Sequence, residues 1–327
     1  MANKPILFYG IEAIHDAGIT DVGIVVGDTH EEIRAAVGDG SRFGIRATYI
    51  RQEAPRGLAH AVKVSRDFLG DDPFVMFLGD NLIKDGITPL VREFERERPN
   101  CQILLARVKN PQEFGVAELE GNRVVRLQEK PENPPTDLAL VGVYMFDATV
   151  FEAVDAIKPS ARDELEITDA IQYLIDTKRD VRSHLITGWW KDTGKLEDML
   201  EANRIVLSGL KTRIEGEVDA RTRIEGDVVI GKGSRVIAST LRGPLIVGEN
   251  CLIEDAFIGP FTSIHNGVVI RSSEVEHSIL LEDAKVIGLR DRMESSLLGR
   301  SVEIVRVDTR PATYRFLVGD MGRIEVH

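Results

Sequence analysis

Over roughly its first two-thirds the chain alternates between short apolar runs and segments whose apolar residues recur at helical spacing. Asn3 is placed to cap a first helix, with Pro5 in its first turn, Ile6, Leu7, Ile11 and Ile14 on one face, and Gly18 closing it. Apolar runs predict strands over 22–26, 47–50, 74–78 and 102–108. Helices are expected near 31–37, 58–68 and 90–98, with a last helix over 195–210 leading out of the region. Residues 116–127 read as a hairpin turning at Glu120-Gly121-Asn122. Strand–helix alternation of this kind predicts an α/β fold with a doubly wound, mostly parallel sheet.

After Leu210 the pattern changes. Apolar residues recur every six positions, at Ile224, Ile230 and Val236, then at Val247, Ile253, Ile258 (one short), Ile264 and Ile270. Small residues follow several of them, as in Ile230-Gly231-Lys232-Gly233-Ser234. Neither a helix nor a flat strand has this period. It belongs to a parallel β-helix, whose coils have three short sides and stack on their neighbours. The break over 240–245 is expected to be a loop ejected from one coil, and 303–307 and 312–318 to be strands closing the open end. Two domains are therefore expected, 1–210 and 211–327.

Composition narrows the function. A net charge of −12 over 327 residues argues against nucleic-acid binding, although lysines, amides and a divalent cation can still hold phosphates. No segment has the apolar length to span a bilayer, so a cytoplasmic protein without a membrane partner is expected. Cys101 and Cys251 are too few and too distant for a disulfide framework or a metal knuckle.

Four short stretches carry candidate chemistry. The run Phe74-Val75-Met76-Phe77-Leu78-Gly79-Asp80-Asn81 ends a strand in a carboxylate, at the edge of the sheet where α/β proteins bind ligands. Gly188-Trp189-Trp190-Lys191-Asp192-Thr193-Gly194 supplies a second carboxylate, and the two could share one Mg²⁺ with substrate phosphates and water. Gln128-Glu129-Lys130-Pro131 offers an acceptor for hydroxyls and a point charge for a phosphate. In the loop from Arg51 to Ala61, Gln52 could pair with a base edge and Gly57 could present its amide. Taken singly, each is an ordinary turn, cap or solvated charge pair.

Together and in this order, Leu-Gly-Asp-Asn, Phe114-Gly115-Val116, Glu-Lys-Pro, Glu166-Ile167-Thr168-Asp169 and Trp-Lys-Asp-Thr-Gly resemble the sugar-1-phosphate nucleotidylyltransferases. The similarity runs from Asn3 to the end of the chain and is to a long form of that family with a C-terminal left-handed β-helix. The resemblance implies that Asp80 and Asp192 bind Mg²⁺ and that Gln52 and Gly57 contact the nucleotide base. It further implies that Gly115 contacts the sugar by its backbone, Glu129 the sugar hydroxyls and Lys130 the sugar phosphate. Residues 164–169 would lie beneath the sugar pocket, with no catalytic role assigned. The implied reaction joins glucose 1-phosphate to dTTP, giving dTDP-glucose and pyrophosphate; dTTP is favoured over UTP by resemblance alone. Alignment and charge neutralisation suffice for such a transfer, without a protein nucleophile.

One departure stands out. The family opens with a strand and a Gly-Gly-x-Gly-Thr-Arg loop, whereas here Met1 directly precedes the first helix. Such a loop would bind the triphosphate and stabilise the departing pyrophosphate. The chain as written is thus expected to bind nucleotide weakly and turn over poorly, a start codon placed too far downstream being the expected reason. A non-catalytic sugar-nucleotide sensor or assembly subunit is the alternative. An acyl-transfer site on the β-helix would have only His265 and His277 as obvious bases. Homo-oligomers are expected to form through the β-helix.

Overall fold

The computed structural model describes residues 1–121, 123–307, 315 and 322–325. The chain divides into two compact units, Lys4–Ala202 and a second made of Met1–Asn3 with Asn203–His327. The division falls inside the last helix of the first region, before the boundary after Leu210 that the sequence pattern suggests.

In the first unit the elements run α1 (Ile6–Asp16), β1 (Asp21–Val26), α2 (His30–Val37), β2 (Arg46–Arg51), α3 (Leu58–Val64), α4 (Arg66–Leu69), β3 (Phe74–Phe77) and β4 (Asn81–Ile83). They continue with α5 (Thr88–Glu97), β5 (Cys101–Arg107), β6 (Gly115–Glu120), β7 (Arg123–Glu129) and β8 (Leu138–Phe146). The unit is completed by α6 (Val150–Ala156), α7 (Ile167–Asp176), β9 (Val181–Leu185), β10 (Trp190–Asp192) and the start of α8 (Leu196–Leu207).

The main sheet has the order β3-β8-β5-β9-β7-β6, while β1 and β2 form a separate parallel pair. β5 and β9 are parallel too, as a doubly wound sheet requires. β8 differs from the mostly parallel expectation, running antiparallel to β3, β5 and β6. The reason is local. β6, β7 and β8 follow one another without a crossover helix, and antiparallel neighbours need none. Every residue of β8 is buried, with helices α3, α6 and α7 contributing to the core on one side and α5 on the other.

Two local expectations change. Pro5 stands at the N-cap position of α1 with no side-chain cap, and Asn3 instead donates its amide to the Ile264 carbonyl at 2.6 Å within the second unit. The helix expected over 58–68 is two pieces meeting at Ser65, whose hydroxyl donates to the Ala61 carbonyl at 2.8 Å.

The second unit is a parallel β-helix with three ladders, of six, six and five strands. Ile230, Val247, Ile264 and Leu280 stack in one ladder and Val236, Ile253, Ile270 and Val286 in the next. Ile224, Leu241, Ile258, Val275 and Met293 form the third. The expectation of an ejected loop over 240–245 is thereby overturned. Thr240–Arg242 and Leu245–Val247 are coil strands, and Leu241 is wholly buried. The break in the pattern is only a side one residue shorter than its neighbours, like the step to Ile258. The buried Ser234 is paired at its turn, its hydroxyl donating to the Gly248 carbonyl at 2.7 Å and accepting from the Cys251 amide at 2.9 Å. Asn203 is wholly buried in this unit, accepting from the Ala2 amide at 2.8 Å and the Ser263 hydroxyl at 2.7 Å. The first expected closing strand, 303–307, instead extends the second ladder through Glu303–Val305. The other, 312–318, lies outside the described residues except for Arg315.

Candidate functional site

The apolar stretch of β3 ends at Leu78, whose amide donates to the Gly142 carbonyl of β8 at 2.8 Å. A turn then exposes Asp80, and the chain returns as β4, paired antiparallel with β10 so that Asn81 stands opposite Asp192. Thr193 fixes the junction, its amide and its hydroxyl both donating to the Asp80 carbonyl, at 3.1 and 2.9 Å. Two carboxylates that lie far apart in sequence are thus brought to neighbouring backbone positions. Burial pushes the Asp192 carboxyl above the usual range, and the negative charge of Asp80 adds to this. The Gly194 amide, 2.8 Å from Asp192 Oδ1, and the Lys130 ammonium act in the opposite sense. A carboxyl whose charge a neighbouring acid disfavours suits a cation held between the two. Among the described residues no group of three or more His, Cys, Asp or Glu side chains gathers to hold a metal. A hard ion here would take two carboxylates from the protein and its remaining oxygens from substrate and water, the usual arrangement for Mg²⁺.

Asn81 is 1 % exposed, and both polar atoms of its side chain are bonded. It donates to Asp80 Oδ1 at 2.8 Å and accepts from the Trp190 indole at 2.6 Å and the Gly142 amide at 3.1 Å. Gly142 leaves the space that this needs, since a Cβ there would stand 2.5 Å from Asn81 Nδ2.

A second cluster lies where the β6–β7 pair begins, with Gly115 opposite Glu129. Thr168 of α7 donates to Glu129 at 3.2 Å and Arg162 donates to its other oxygen at 3.3 Å. Arg162 is held in turn by both oxygens of the buried Glu166, at 2.9 and 2.8 Å. Burial and then the Glu166 charge raise the Glu129 carboxyl, partly offset by Arg162, Lys130 and Thr168. A side chain at Gly115 would collide with the Thr168 methyl, at 2.7 Å, so the backbone is bare at this point. Lys130 takes a positive φ of 41° and is exposed, and its charge favours ionisation of both Glu129 and Asp192. The buried Tyr144 hydroxyl is pushed up by burial and by Glu129, Asp80 and Asp192 together, so both acidic clusters act on the same end of β8. Phe114 and Trp190 meet edge to face at 5.4 Å beside them.

The third cluster holds Gln52 and Gly57. The Gln52 amide nitrogen lies 3.1 Å from the Gly57 carbonyl and 3.0 Å from His60 Nδ1. Gly57 has a φ of 95°, and a Cβ there would meet the Leu165 carbonyl oxygen at 2.4 Å. Leu165 is bonded to Arg56 and Ala59 through its backbone, so the segment running on to Glu166 and Thr168 ties this loop to the Glu129 cluster. Asn81, Gly142, Tyr144 and Arg162 are contributors to which the sequence reading gives no part, and it places Thr168 only beneath the sugar pocket. The Asn-after-Asp pair and the second Trp were visible signals; Gly142 and Tyr144 in an unbroken apolar strand gave none.

The two β-helix histidines occupy turns. His265 accepts from the Asn266 amide at 2.8 Å, lies 3.6 Å from Glu282, and is shifted down by burial. His277 packs edge to face on Phe261 at 6.3 Å. Both cysteines are free and buried, and among the described residues no helix is long and apolar enough to cross a membrane.

Residues 1–209 match the family model described as nucleotidyl transferase. Over the full chain the sequence is 53% identical to a glucose-1-phosphate thymidylyltransferase of Streptomyces antibioticus, covering 92% of that protein. It is 40% identical, again over 100% of the chain and 92% of the relative, to a low-salt glycan biosynthesis nucleotidyltransferase of Haloferax volcanii. Among solved structures, a putative glucose-1-phosphate thymidylyltransferase from Bacillus anthracis superposes with a TM-score of 0.58 at 34% identity, covering 62% of this chain and 82% of the other.

Proposed function

We propose, for a chain that belongs to the nucleotidyl transferase family, that it is a sugar-1-phosphate nucleotidyltransferase joining glucose 1-phosphate to dTTP to give dTDP-glucose and pyrophosphate. The observation that carries this reading is full-length similarity to glucose-1-phosphate thymidylyltransferases. Asp80 and Asp192, brought to neighbouring backbone positions by the pairing of β4 with β10, support it.

A phosphate oxygen of the sugar attacks the α-phosphorus of the triphosphate, and the bond to pyrophosphate breaks with its electron pair leaving on pyrophosphate. Asp80 and Asp192 would hold Mg²⁺, which supplies charge neutralisation and alignment of the phosphate oxygens. Lys130 neutralises the sugar phosphate while Glu129 accepts from sugar hydroxyls. The bare backbone at Gly115 lets the ring approach. Gln52 and the Gly57 amide hold the base. Asn81 and Thr193 keep the Asp80 turn rigid, so little reorganisation accompanies the charge shift.

Pyrophosphate release from the full chain with dTTP, glucose 1-phosphate and Mg²⁺ tests the reading. Turnover that Asp80→Asn and Asp192→Asn each lower by roughly a hundredfold or more is expected, as for loss of a transition-state contact. Tight dTDP-glucose binding with no turnover under any triphosphate would replace it with a sensor role. The β-helix, with its flat outer ladders, is the face through which we expect copies to assemble.

A further inference from the structure

We infer that His60 is a positioning residue that makes the Gln52 amide a pure acceptor, so that the site selects pyrimidines with a ring N–H donor and rejects cytosine. This rests on the reading of Gln52 as the base contact given above.

A primary amide has two N–H donors and one carbonyl acceptor. Here both donors have acceptors within the protein. One lies toward the Gly57 carbonyl at 3.1 Å and the other toward His60 Nδ1 at 3.0 Å. The Gly57 carbonyl fixes which way the amide faces, because turning Oε1 toward it would set two acceptors against each other. It cannot easily move aside: Leu165 accepts from the Ala59 amide at 3.0 Å and donates to the Arg56 carbonyl at 2.8 Å, closing the loop on both sides. Facing an N–H, His60 Nδ1 must be the acceptor, so the neutral ring carries its proton on Nε2. Burial, with Arg56 and Lys63 nearby, favours that neutral form.

What remains for a ligand is Gln52 Oε1. Thymine and uracil present N3–H to it, whereas cytosine in the same place presents the N3 lone pair. The mismatch leaves two acceptors opposed in a half-buried site, which hydrogen-bond energetics make worth roughly tenfold or more in affinity. Replacing His60 by a side chain that cannot accept frees one N–H of Gln52. The amide then offers both a donor and an acceptor, and cytosine can pair with it as well as thymine.

The test is equilibrium binding of dTTP and dCTP, with Mg²⁺, to the full chain and to His60→Leu and His60→Asn variants. The unaltered protein should prefer dTTP by roughly tenfold or more, and His60→Leu should reduce the preference to about threefold or less, mainly by gaining dCTP affinity. His60→Asn, which can offer a carbonyl oxygen near the Nδ1 position, should restore it. A purely structural role would weaken both nucleotides alike, and that outcome, or an unchanged ratio in His60→Leu, overturns the inference. Should Gln52→Ala leave dTTP binding unaltered, the base-site reading falls and this inference with it.

Discussion

Trp190 donates its indole N–H to Oδ1 of Asn81 at 2.6 Å, and Asn81 donates in turn to Oδ1 of Asp80 at 2.8 Å. The bond makes the second acidic stretch a support for the first. A strand that carries one carboxylate thereby orients the side chain that aims the other. Because Asn81 is buried and every polar atom of its side chain is engaged, the turn at Asp80 has one stable arrangement.

Asn81→Ala should therefore lower stability by about 2 kcal/mol, since it strands the Trp190 and Gly142 donors. Asn81→Asp keeps those acceptors but sets a second carboxylate against Asp80. It should cost less stability and lower turnover by roughly tenfold or more, with a raised Mg²⁺ requirement. Urea denaturation and a Mg²⁺ titration of the rate separate the two effects.

Gly142→Ala is a test of the same site from the sheet side. Its Cβ would fall 2.5 Å from Asn81 Nδ2, so the amide must shift and its bond to Asp80 must lengthen. A loss of about 1–3 kcal/mol is expected, as for overpacking elsewhere, together with reduced turnover. Wild-type kinetics in this variant would show that Asn81 does not aim Asp80.

The raised Glu129 carboxyl predicts a pH-dependent stability difference. Its usual value is 4.5, and in the folded protein it keeps its proton to higher pH than in the unfolded chain. Between the two values the folded state binds more protons, so this group's contribution to stability falls as pH rises. Glu129→Gln lacks the effect. Its melting temperature relative to wild type should climb as pH rises from about 4 through the raised value and then level off, while sugar phosphate binding weakens. A difference that shrinks with pH would contradict the assignment.

Much of this was legible in the sequence because chemistry and punctuation coincided. The Asp80 turn follows an apolar run, and one inward position per side made the β-helix ladders visible as a six-residue period. Less regular features were not. β8 is apolar at almost every position, and an unbroken apolar stretch states neither strand direction nor neighbours. The side bearing Leu241 is short by one residue, which interrupted the period without interrupting the coil. The clamp of Asn81 by Trp190 joins residues 109 positions apart, and no local pattern encodes such a pairing.

In the interior of the β-helix, Ile253→Ala should cost about 2–5 kcal/mol, because Val236 and Ile270 on either side are fixed by the backbone pairing of the same ladder and cannot collapse into the space. Calorimetry should show the loss in the transition of this unit.

The seventeen-residue spacing between groups one coil apart, such as Ser239 and Ala256, has a consequence for how such a chain can change length. Excising one whole repeat would bring like edges together and leave every remaining rung in register, whereas removing a few residues would throw inward side chains outward. Apart from one-residue adjustments such as the side bearing Leu241, growth and shrinkage of this region are thus quantised in whole turns.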